Sequence, residues 1–163
     1  MRALIQRVRR ASVEVDGKVT GQIDRGLLVF LGVGQGDGAK EVRYLADKIL
    51  GLRIFPDAAH GMNVSLGDIG GKILLVSQFT LYGDCRRGRR PSFEAAAAPD
   101  QACEIYEAFA KYLVDKGFPP EEGIFAASML VSLENDGPVT IFLDSDELGI
   151  SSNRHKDPQK KES

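Results

Sequence analysis

Residues 26–34 read GLLVFLGVG, an apolar run interrupted only by glycine. A run of this length is typical of a strand, and its lack of polar alternation predicts burial on both faces of a sheet. Upstream, residues 1–23 place apolar side chains at about every second position, which also predicts strands. Asp16-Gly17 divides that segment, and this pair favours the positive φ angles of a tight hairpin turn. The N-terminal part therefore predicts three strands, the first two forming a hairpin.

Two segments show helical periodicity instead. Apolar residues recur at three- and four-residue spacing over 38–51, after the potential capping residue Asp37. The same spacing follows Pro99-Asp100 and ends before Gly117. Further strands are predicted at 53–55, 72–81, 125–133 and 138–145, the last two joined by a turn at 134–137. Because strands cluster and the helices do not alternate regularly with them, the sequence predicts an α+β fold, a mostly antiparallel sheet with two helices on one face.

The charge of the chain is unevenly distributed along it. The 163 residues are 43% hydrophobic and 27% charged, which is ordinary for a folded domain, and the net charge of −2 argues against a protein that coats nucleic acid. Residues 1–93, however, hold 15 basic and 9 acidic side chains, a net charge of +6, whereas residues 94–147 hold 2 and 12, a net charge of −10. An acidic mean thus conceals a basic half.

The domain organisation is simple. We expect one domain over 1–147 and a polar, disordered tail over 148–163, which contains Lys160 and Lys161 as further possible phosphate contacts. No apolar run approaches the roughly 20 residues that span a bilayer, and the N-terminus lacks the continuous apolar stretch of a signal peptide. We therefore expect a cytoplasmic protein with no membrane contact.

The usual catalytic side chains are scarce. The chain has two histidines and two cysteines, with no cluster at zinc-binding spacing, so we predict neither a metal nor a cofactor. A Ser-His-Asp triad would need His60, in a predicted loop, or His155, in the polar tail, and no Gly-x-Ser-x-Gly motif is present. An enzyme built from this sequence would have to work without a conventional histidine base.

Ser77-Gln78-Phe79-Thr80 brings hydroxyl groups to the end of an otherwise apolar strand. Such a strand end can present N–H groups and a hydroxyl to a developing oxyanion. The alternative is purely structural, since threonine is a good strand former and Ser77 can bond to a neighbouring strand. Thr80 as a nucleophile is a further alternative, but nothing at suitable spacing would activate it.

Two other segments have both a structural and a functional interpretation. Asn135-Asp136-Gly137-Pro138 is typical of a turn, yet a Gly-Pro bond in the cis form would aim two carbonyls in one direction and act as a gate. Residues 82–98 form a long stretch with little packing signal. It contains four cations within five residues, which are either solvated surface charges or a phosphate-binding loop: Arg86, Arg87, Arg89 and Arg90. Tyr82 and Phe93 flank them and either stack on bases or anchor the loop.

Three segments together resemble the D-aminoacyl-tRNA deacylase family: SQFTLYGD at 77–84, GRRPSF at 88–93 and NDGPVT at 135–140. The resemblance is colinear and runs over residues 1–145. One departure is FAASM at 125–129, where Ser128 stands in place of an expected acidic residue. A second is the tail, which the family core does not require.

The resemblance implies a barrel-like sheet and a homodimer with active sites at the subunit interface. It implies hydrolysis of the ester between a D-amino acid, or mischarged glycine, and the acceptor end of tRNA. The catalytic pocket floor would be Ser77, Gln78, Phe79 and Thr80. Gly137 and Pro138 of the partner would be the cis gate that excludes L side chains. Pocket or gate support would come from Arg7, Phe125, Met129 and Asn135, and tRNA binding from Arg86, Arg87, Arg89 and Arg90.

Two other functions remain open from the sequence. One is a non-catalytic tRNA-binding module that uses the arginine run. The other is a related deacylase that edits a different mischarged tRNA, with a trans Gly-Pro bond and relaxed chirality. A binding module would protect an aminoacyl ester, whereas an editing enzyme without chiral preference would release the amino acid from both enantiomers. Hydrolysis assays therefore distinguish these two functions from a D-specific deacylase.

Overall fold

Strands dominate the computed structural model, which describes residues 1–147 and 149. Along the chain the elements are β1 (Arg2–Val15), β2 (Lys18–Ile23), β3 (Gly26–Gly32), α1 (Ala39–Gly51), β4 (Phe55–Pro56), β5 (Met62–Val64), β6 (Lys72–Ser77), a 3-10 helix (Phe79–Tyr82), α2 (Pro99–Asp115), β7 (Glu121–Glu122) and β8 (Leu130–Asp144). The predicted hairpin is confirmed: β1 and β2 pair antiparallel, with positive φ angles at Asp16 and Gly17. Among the described residues, no helix is long and apolar enough to cross a membrane.

The long strand β1 organises the main sheet. It pairs antiparallel with β2, β3 and β8, while β3 pairs in parallel with β6, and β6 with β7. The short β7 then returns beside β2, where a Cβ atom on Gly21 would lie 2.6 Å from the Glu122 carbonyl oxygen. A side chain at position 21 would force the two strands apart, so glycine permits the sheet to close almost into a barrel. The mostly antiparallel, barrel-like sheet expected from the sequence is confirmed.

Alternate residues of the central strands face two apolar layers. Leu27, Val29 and Leu31 of β3 pack with the buried faces of both helices, which places the helices on the same side of the sheet, as predicted. Leu28 points to the other side, into a smaller core with residues of β1, β2 and β6. The GLLVF run is therefore buried on both faces, as its uninterrupted apolar pattern predicts.

The strand predicted at 53–55 is confirmed only at Phe55, where β4 begins, and the strand predictions are wrong at three further places. The strand predicted to reach residue 81 ends at Ser77, because the chain turns into the 3-10 helix there. Residues 125–129 form a turn rather than a strand, and Ala126 has a φ of 61°. The turn predicted at 134–137 lies within the continuous strand β8, whose register against β1 shifts at this point.

Side-chain hydrogen bonds explain why β8 continues through four turn-forming residues. The Asn135 amide donates to the carbonyl oxygens of Arg7 (3.2 Å) and Val139 (3.1 Å), and the Arg7 guanidinium donates to the Asp136 carbonyl (3.0 Å). These bonds hold the segment against β1, so tertiary contacts override the local turn preference. The predicted disordered tail over 148–163 lies outside the described residues apart from Gly149.

Candidate active site

The chain leaves the sheet immediately after Ser77. The Gln78 N–H still donates to the Leu31 carbonyl of the neighbouring strand β3, at 2.8 Å. The next residues form the 3-10 helix, in which the Leu81 N–H donates to the Gln78 carbonyl (3.3 Å) and the Gly83 N–H to that of Thr80 (2.9 Å). The helix is therefore fixed at its start by the central sheet.

Phe79 and Thr80 stand at the N-terminal end of this helix, and both are exposed. Neither backbone N–H donates a hydrogen bond to another residue in the described part of the chain. The first N–H groups of any helix lack partners within it, and they form a ready site for negative charge. The structure thus places two adjacent, unoccupied donors where the sequence suggested an oxyanion site.

Gln78 and Thr80 also interact through their side chains. The Gln78 amide nitrogen donates a hydrogen bond to Thr80 Oγ1. Because this bond uses an oxygen lone pair, the hydroxyl proton of Thr80 remains available for donation to another acceptor. Gln78 thereby orients a hydroxyl donor beside the two free N–H groups.

A cavity of about 490 Å³ adjoins the start of the 3-10 helix, and such a volume suits a small organic group. Its lining includes five of the residues expected at the site: Ser77, Gln78, Phe79, Phe125 and Met129. Thr80 is not among the lining residues, and Ser128 is exposed and does not line the cavity either. Three of the four predicted catalytic residues and two of the predicted support residues therefore meet at one cavity.

The rest of the lining comes from residues that were not among those expected at the site. Ala96, Ala97 and Ala102 line it, and Phe93 packs edge-on against Phe79 with ring centroids 5.1 Å apart. Tyr106 closes the wall, and its hydroxyl donates to the Leu75 carbonyl at 3.1 Å. The run of four alanines at 95–98 is the feature of the sequence that could have indicated this part of the cavity, since small side chains leave room for a ligand.

Burial also determines the protonation state of Tyr106. Removal from water raises the pKa of the Tyr106 hydroxyl well above its usual value, and the nearby Glu122 carboxylate adds to that shift. The phenol is therefore neutral near neutral pH. Tyr106 is a fixed structural donor in the cavity wall rather than a proton-transfer group.

The expected gate residues form a second cluster. Arg7 is buried, and its guanidinium donates to the Asp136 carbonyl (3.0 Å) and the Ile54 carbonyl (2.5 Å), while its Nε lies 3.0 Å from Asp136 Oδ2. The Gly137-Pro138 bond that follows is cis. Asp136 was not among the residues predicted for the site, although it stands within the NDGPVT segment.

The gate cluster and the cavity are separate within one chain. Gly137 and Pro138 are exposed and do not belong to the cavity lining. Asn135, whose amide bonds to the backbone on both sides, belongs to this same cluster rather than to the pocket. The structure therefore divides the expected site residues into two groups that a single subunit does not join.

The arginine run lies on an exposed loop closed by two backbone hydrogen bonds between Asp84 and Ser92, of 2.7 and 3.0 Å. The Asp84 carboxylate accepts hydrogen bonds from Nε (2.9 Å) and Nη2 (2.7 Å) of Arg86. These bonds hold the pKa of Asp84 below its usual range. Arg86 thus fastens the loop. The other three arginines of the run are exposed: Arg87, Arg89 and Arg90.

The aromatic residues that flank the loop face inward. Tyr82 is buried, and Phe93 is half-buried against Phe79, so both anchor the loop rather than present a free ring. Lys160 and Lys161, the other possible phosphate contacts, lie outside the described residues. Within residues 1–147 and 149, no group of three or more His, Cys, Asp or Glu side chains is arranged to hold a metal ion.

Comparisons with known proteins identify the family of the chain. Residues 4–144 match the family described as D-Tyr-tRNA(Tyr) deacylase. The D-aminoacyl-tRNA deacylase of Halothermothrix orenii is 59% identical over 145 residues, covering 89% of this chain and 97% of the relative. That of Thermotoga petrophila is 57% identical over 148 residues, covering 91% and 99%.

Solved structures show the same architecture. A structure titled c-Myc DNA Unwinding Element Binding Protein superposes with a TM-score of 0.83 at 41% identity, covering 89% of this chain and 99% of that one. A probable eukaryotic D-amino acid tRNA deacylase superposes with a TM-score of 0.75 at 20% identity, a likeness in fold, covering 87% and 97%. With a family match over nearly the whole described chain and relatives above half identity, this chain belongs to the D-Tyr-tRNA(Tyr) deacylase family.

Proposed function

We propose that the protein hydrolyses the ester bond of D-aminoacyl-tRNA. Water adds to the acyl carbon, the bond from that carbon to the ribose oxygen breaks, and the products are a free D-amino acid and tRNA. The observation that carries this proposal is the pair of N–H groups at Phe79, which lines the cavity, and at the adjacent Thr80, neither of which donates a hydrogen bond within the described residues. The family membership of the chain supports the same reaction.

The two N–H groups stabilise the negative charge that develops on the carbonyl oxygen of the ester. An aminoacyl ester is already activated, so positioning and electrostatic stabilisation carry most of the required rate. The cavity beside Ser77 and Phe79 holds the substrate, and the Thr80 hydroxyl supplies a further donor. The 2′-hydroxyl next to the ester assists the attack of water, which accounts for a site without a histidine base.

The test compares hydrolysis of D- and L-aminoacyl-tRNA by the purified protein, with free amino acid as the readout. We expect fast release from the D ester and from glycyl-tRNA, and no release above background from the L ester. A tRNA ending in 2′-deoxyadenosine should react slowly. Protection of the D ester would identify a non-catalytic binding module, and equal release of both enantiomers would identify an achiral editing enzyme.

Chiral selection is proposed to come from Gly137 and Pro138. In this proposal the pair enters the cavity of the partner subunit and occupies the space that an L side chain would need. A D side chain or the hydrogen of glycine points away from the pair, so those substrates are accepted. The separation of these two residues from the cavity of their own chain is consistent with a gate supplied by a second copy.

The homodimer that this gate requires is supported by the surface of β8. Three large apolar side chains on this strand are exposed: Leu130 (63%), Leu133 (37%) and Phe142 (48%). Within the described residues β8 pairs only with β1, so its other edge presents unpaired backbone groups. Sedimentation equilibrium should give twice the chain mass. A monomer that retains full activity and chiral selection would contradict the dimeric site.

We further propose that the arginine loop contacts the phosphates of the acceptor end of tRNA. Because the guanidinium of Arg86 is hydrogen-bonded to Asp84, we assign the main phosphate contacts to Arg87, Arg89 and Arg90. Arg86 contributes less to phosphate binding. The acidic remainder of the surface lets the enzyme release tRNA after each turnover. We place the reaction in the cytoplasm, where tRNA is used.

Replacing these three arginines by glutamine should raise KM for tRNA and leave kcat almost unchanged. Each lost phosphate contact should reduce the slope of log Kd against log salt by about 0.7 to 0.9. The matched control replaces three exposed cations elsewhere, Arg9, Lys18 and Arg43, and so makes the same change in net charge. An equal rise in KM for both variants would show that only the overall charge matters.

A further inference from the structure

The 3-10 helix that carries the two free N–H groups is only four residues long. A turn of this size does not hold its shape alone, because few internal hydrogen bonds offset the entropy of fixing its backbone. Its first anchor is the bond from the Gln78 N–H to the Leu31 carbonyl. The direction of the Phe79 and Thr80 N–H groups therefore depends also on what holds the other end, at Leu81 and Tyr82.

Arg2 contacts that other end from the first strand. Its Nη1 donates to the Leu81 carbonyl at 3.0 Å, and its guanidinium carbon lies 4.4 Å from the ring centroid of Tyr82. Its Nε donates to Asp144 Oδ2 at 2.7 Å, and the Asp144 carboxylate is itself fixed by the Asp146 N–H at 3.0 Å. One side chain thus joins the 3-10 helix to β1 and to the end of β8.

Other contacts hold the groups on both sides of the Arg2 side chain in place. The Met1 ammonium is buried and donates to Asp37 Oδ1 (2.8 Å) and Ser145 Oγ (2.5 Å), so the backbone next to Arg2 is fixed. The buried Tyr82 ring packs against Gly32 and Gly34, and a side chain at either position would contact or overlap the ring. Its hydroxyl has no hydrogen-bond partner among the described residues, so packing and the Arg2 cation hold the ring.

The geometry points to Arg2 as a positioning residue that aims the Phe79 and Thr80 N–H groups, by pinning the C-terminal end of the 3-10 helix to β1 and β8. Arg2 forms no hydrogen bond with either of those residues and does not line the cavity, so its effect is transmitted through Leu81 and Tyr82. This inference deepens the proposed function and rests on it for its consequence in catalysis. The structural part of the inference, that Arg2 anchors the 3-10 helix, does not depend on the proposed function.

The test compares Arg2→Met and Arg2→Lys with Arg10→Met. Arg10 is a matched control, since it also lies on β1 and pairs with an acidic residue of β8, Glu134 at 2.6 Å, without reaching the 3-10 helix. Arg2→Met should lower kcat for the D ester about tenfold, because small misplacements of a transition-state donor are costly. KM should not change, Arg2→Lys should recover part of the loss, and Arg10→Met should behave as the unaltered protein.

A second readout needs no substrate. The N–H groups of Leu81 and Gly83 are bonded within the turn, and their exchange with deuterium should become about tenfold faster in Arg2→Met, as expected for losing one charge-assisted bond. Unchanged exchange at both positions, or an equal loss of kcat in Arg10→Met, would overturn the inference. If the unaltered protein released no D-amino acid, the proposed function would fail, while the exchange rates would still decide whether Arg2 anchors the turn.

Discussion

Phe79→Pro is expected to lower kcat about 100-fold further than Phe79→Ala does, because only the proline variant deletes a backbone donor to the oxyanion. Both changes remove the aromatic ring at the cavity edge, so their comparison isolates the N–H group. Residue 79 begins the 3-10 helix, a position where proline is well tolerated. Gln78 before it has φ −148° and ψ 79°, which lies outside the α region that proline disfavours in the residue preceding it. Single-turnover hydrolysis of the D ester measures the effect.

The control for this pair is the fold of the variants. Circular dichroism and Tm should be alike in Phe79→Pro and Phe79→Ala, since the lost N–H makes no hydrogen bond within the described protein. Equal kcat in both variants would remove the Phe79 N–H from the mechanism and leave the Thr80 groups as donors. Thr80→Ala then separates the roles of the hydroxyl: retained turnover eliminates Thr80 as a nucleophile.

The features that the sequence predicts well are those determined by local pattern. The hairpin at Asp16-Gly17, both helices and the doubly buried strand β3 follow from turn chemistry and apolar spacing, which act over a few residues. The errors occur where contacts with residues distant in sequence determine the local backbone structure. Asn135 and Asp136 favour a turn locally, yet hydrogen bonds with Arg7, more than 120 residues away, keep them in strand β8.

The same distinction applies to the site. The motif at 77–80 predicts the segment that we propose as the oxyanion site, because neighbouring residues along the chain supply its donors. The rest of the cavity lining requires α2 to bring Ala102 and Tyr106 beside β6, and the sequence contains no local sign of that approach. Arg2 is harder still to find: its contact with Leu81 spans 79 positions and is made to a backbone oxygen, which leaves no trace in the residue type.

Arg7→Met is expected to reduce the discrimination between D and L esters at least about tenfold, because it releases the segment that we propose as the gate against L side chains. The guanidinium of Arg7 is buried and bonds to Asp136 on one side and to the Ile54 carbonyl on the other. Methionine fills similar space but offers no donor, so Asp136 in the gate segment loses its hydrogen bond and its ion pair with the guanidinium. The measurement is the ratio of D to L hydrolysis, which is independent of the fraction folded. Arg9→Met, an exposed change on the same strand, should keep the ratio.

Mixed dimers of Arg7→Met and Phe79→Pro chains then test whether the gate acts across the interface. Each homodimer carries one defect in every site, loss of selection in the first and loss of rate in the second. If each site combines the cavity of one chain with the gate of the other, the mixed dimer contains one site with the native Phe79 N–H and a native gate, and one site with both defects. Fast and D-selective hydrolysis should therefore appear on mixing, with up to half of the activity of the unaltered dimer. A gate acting within its own chain would give no such recovery, because no site in the mixture would then be intact.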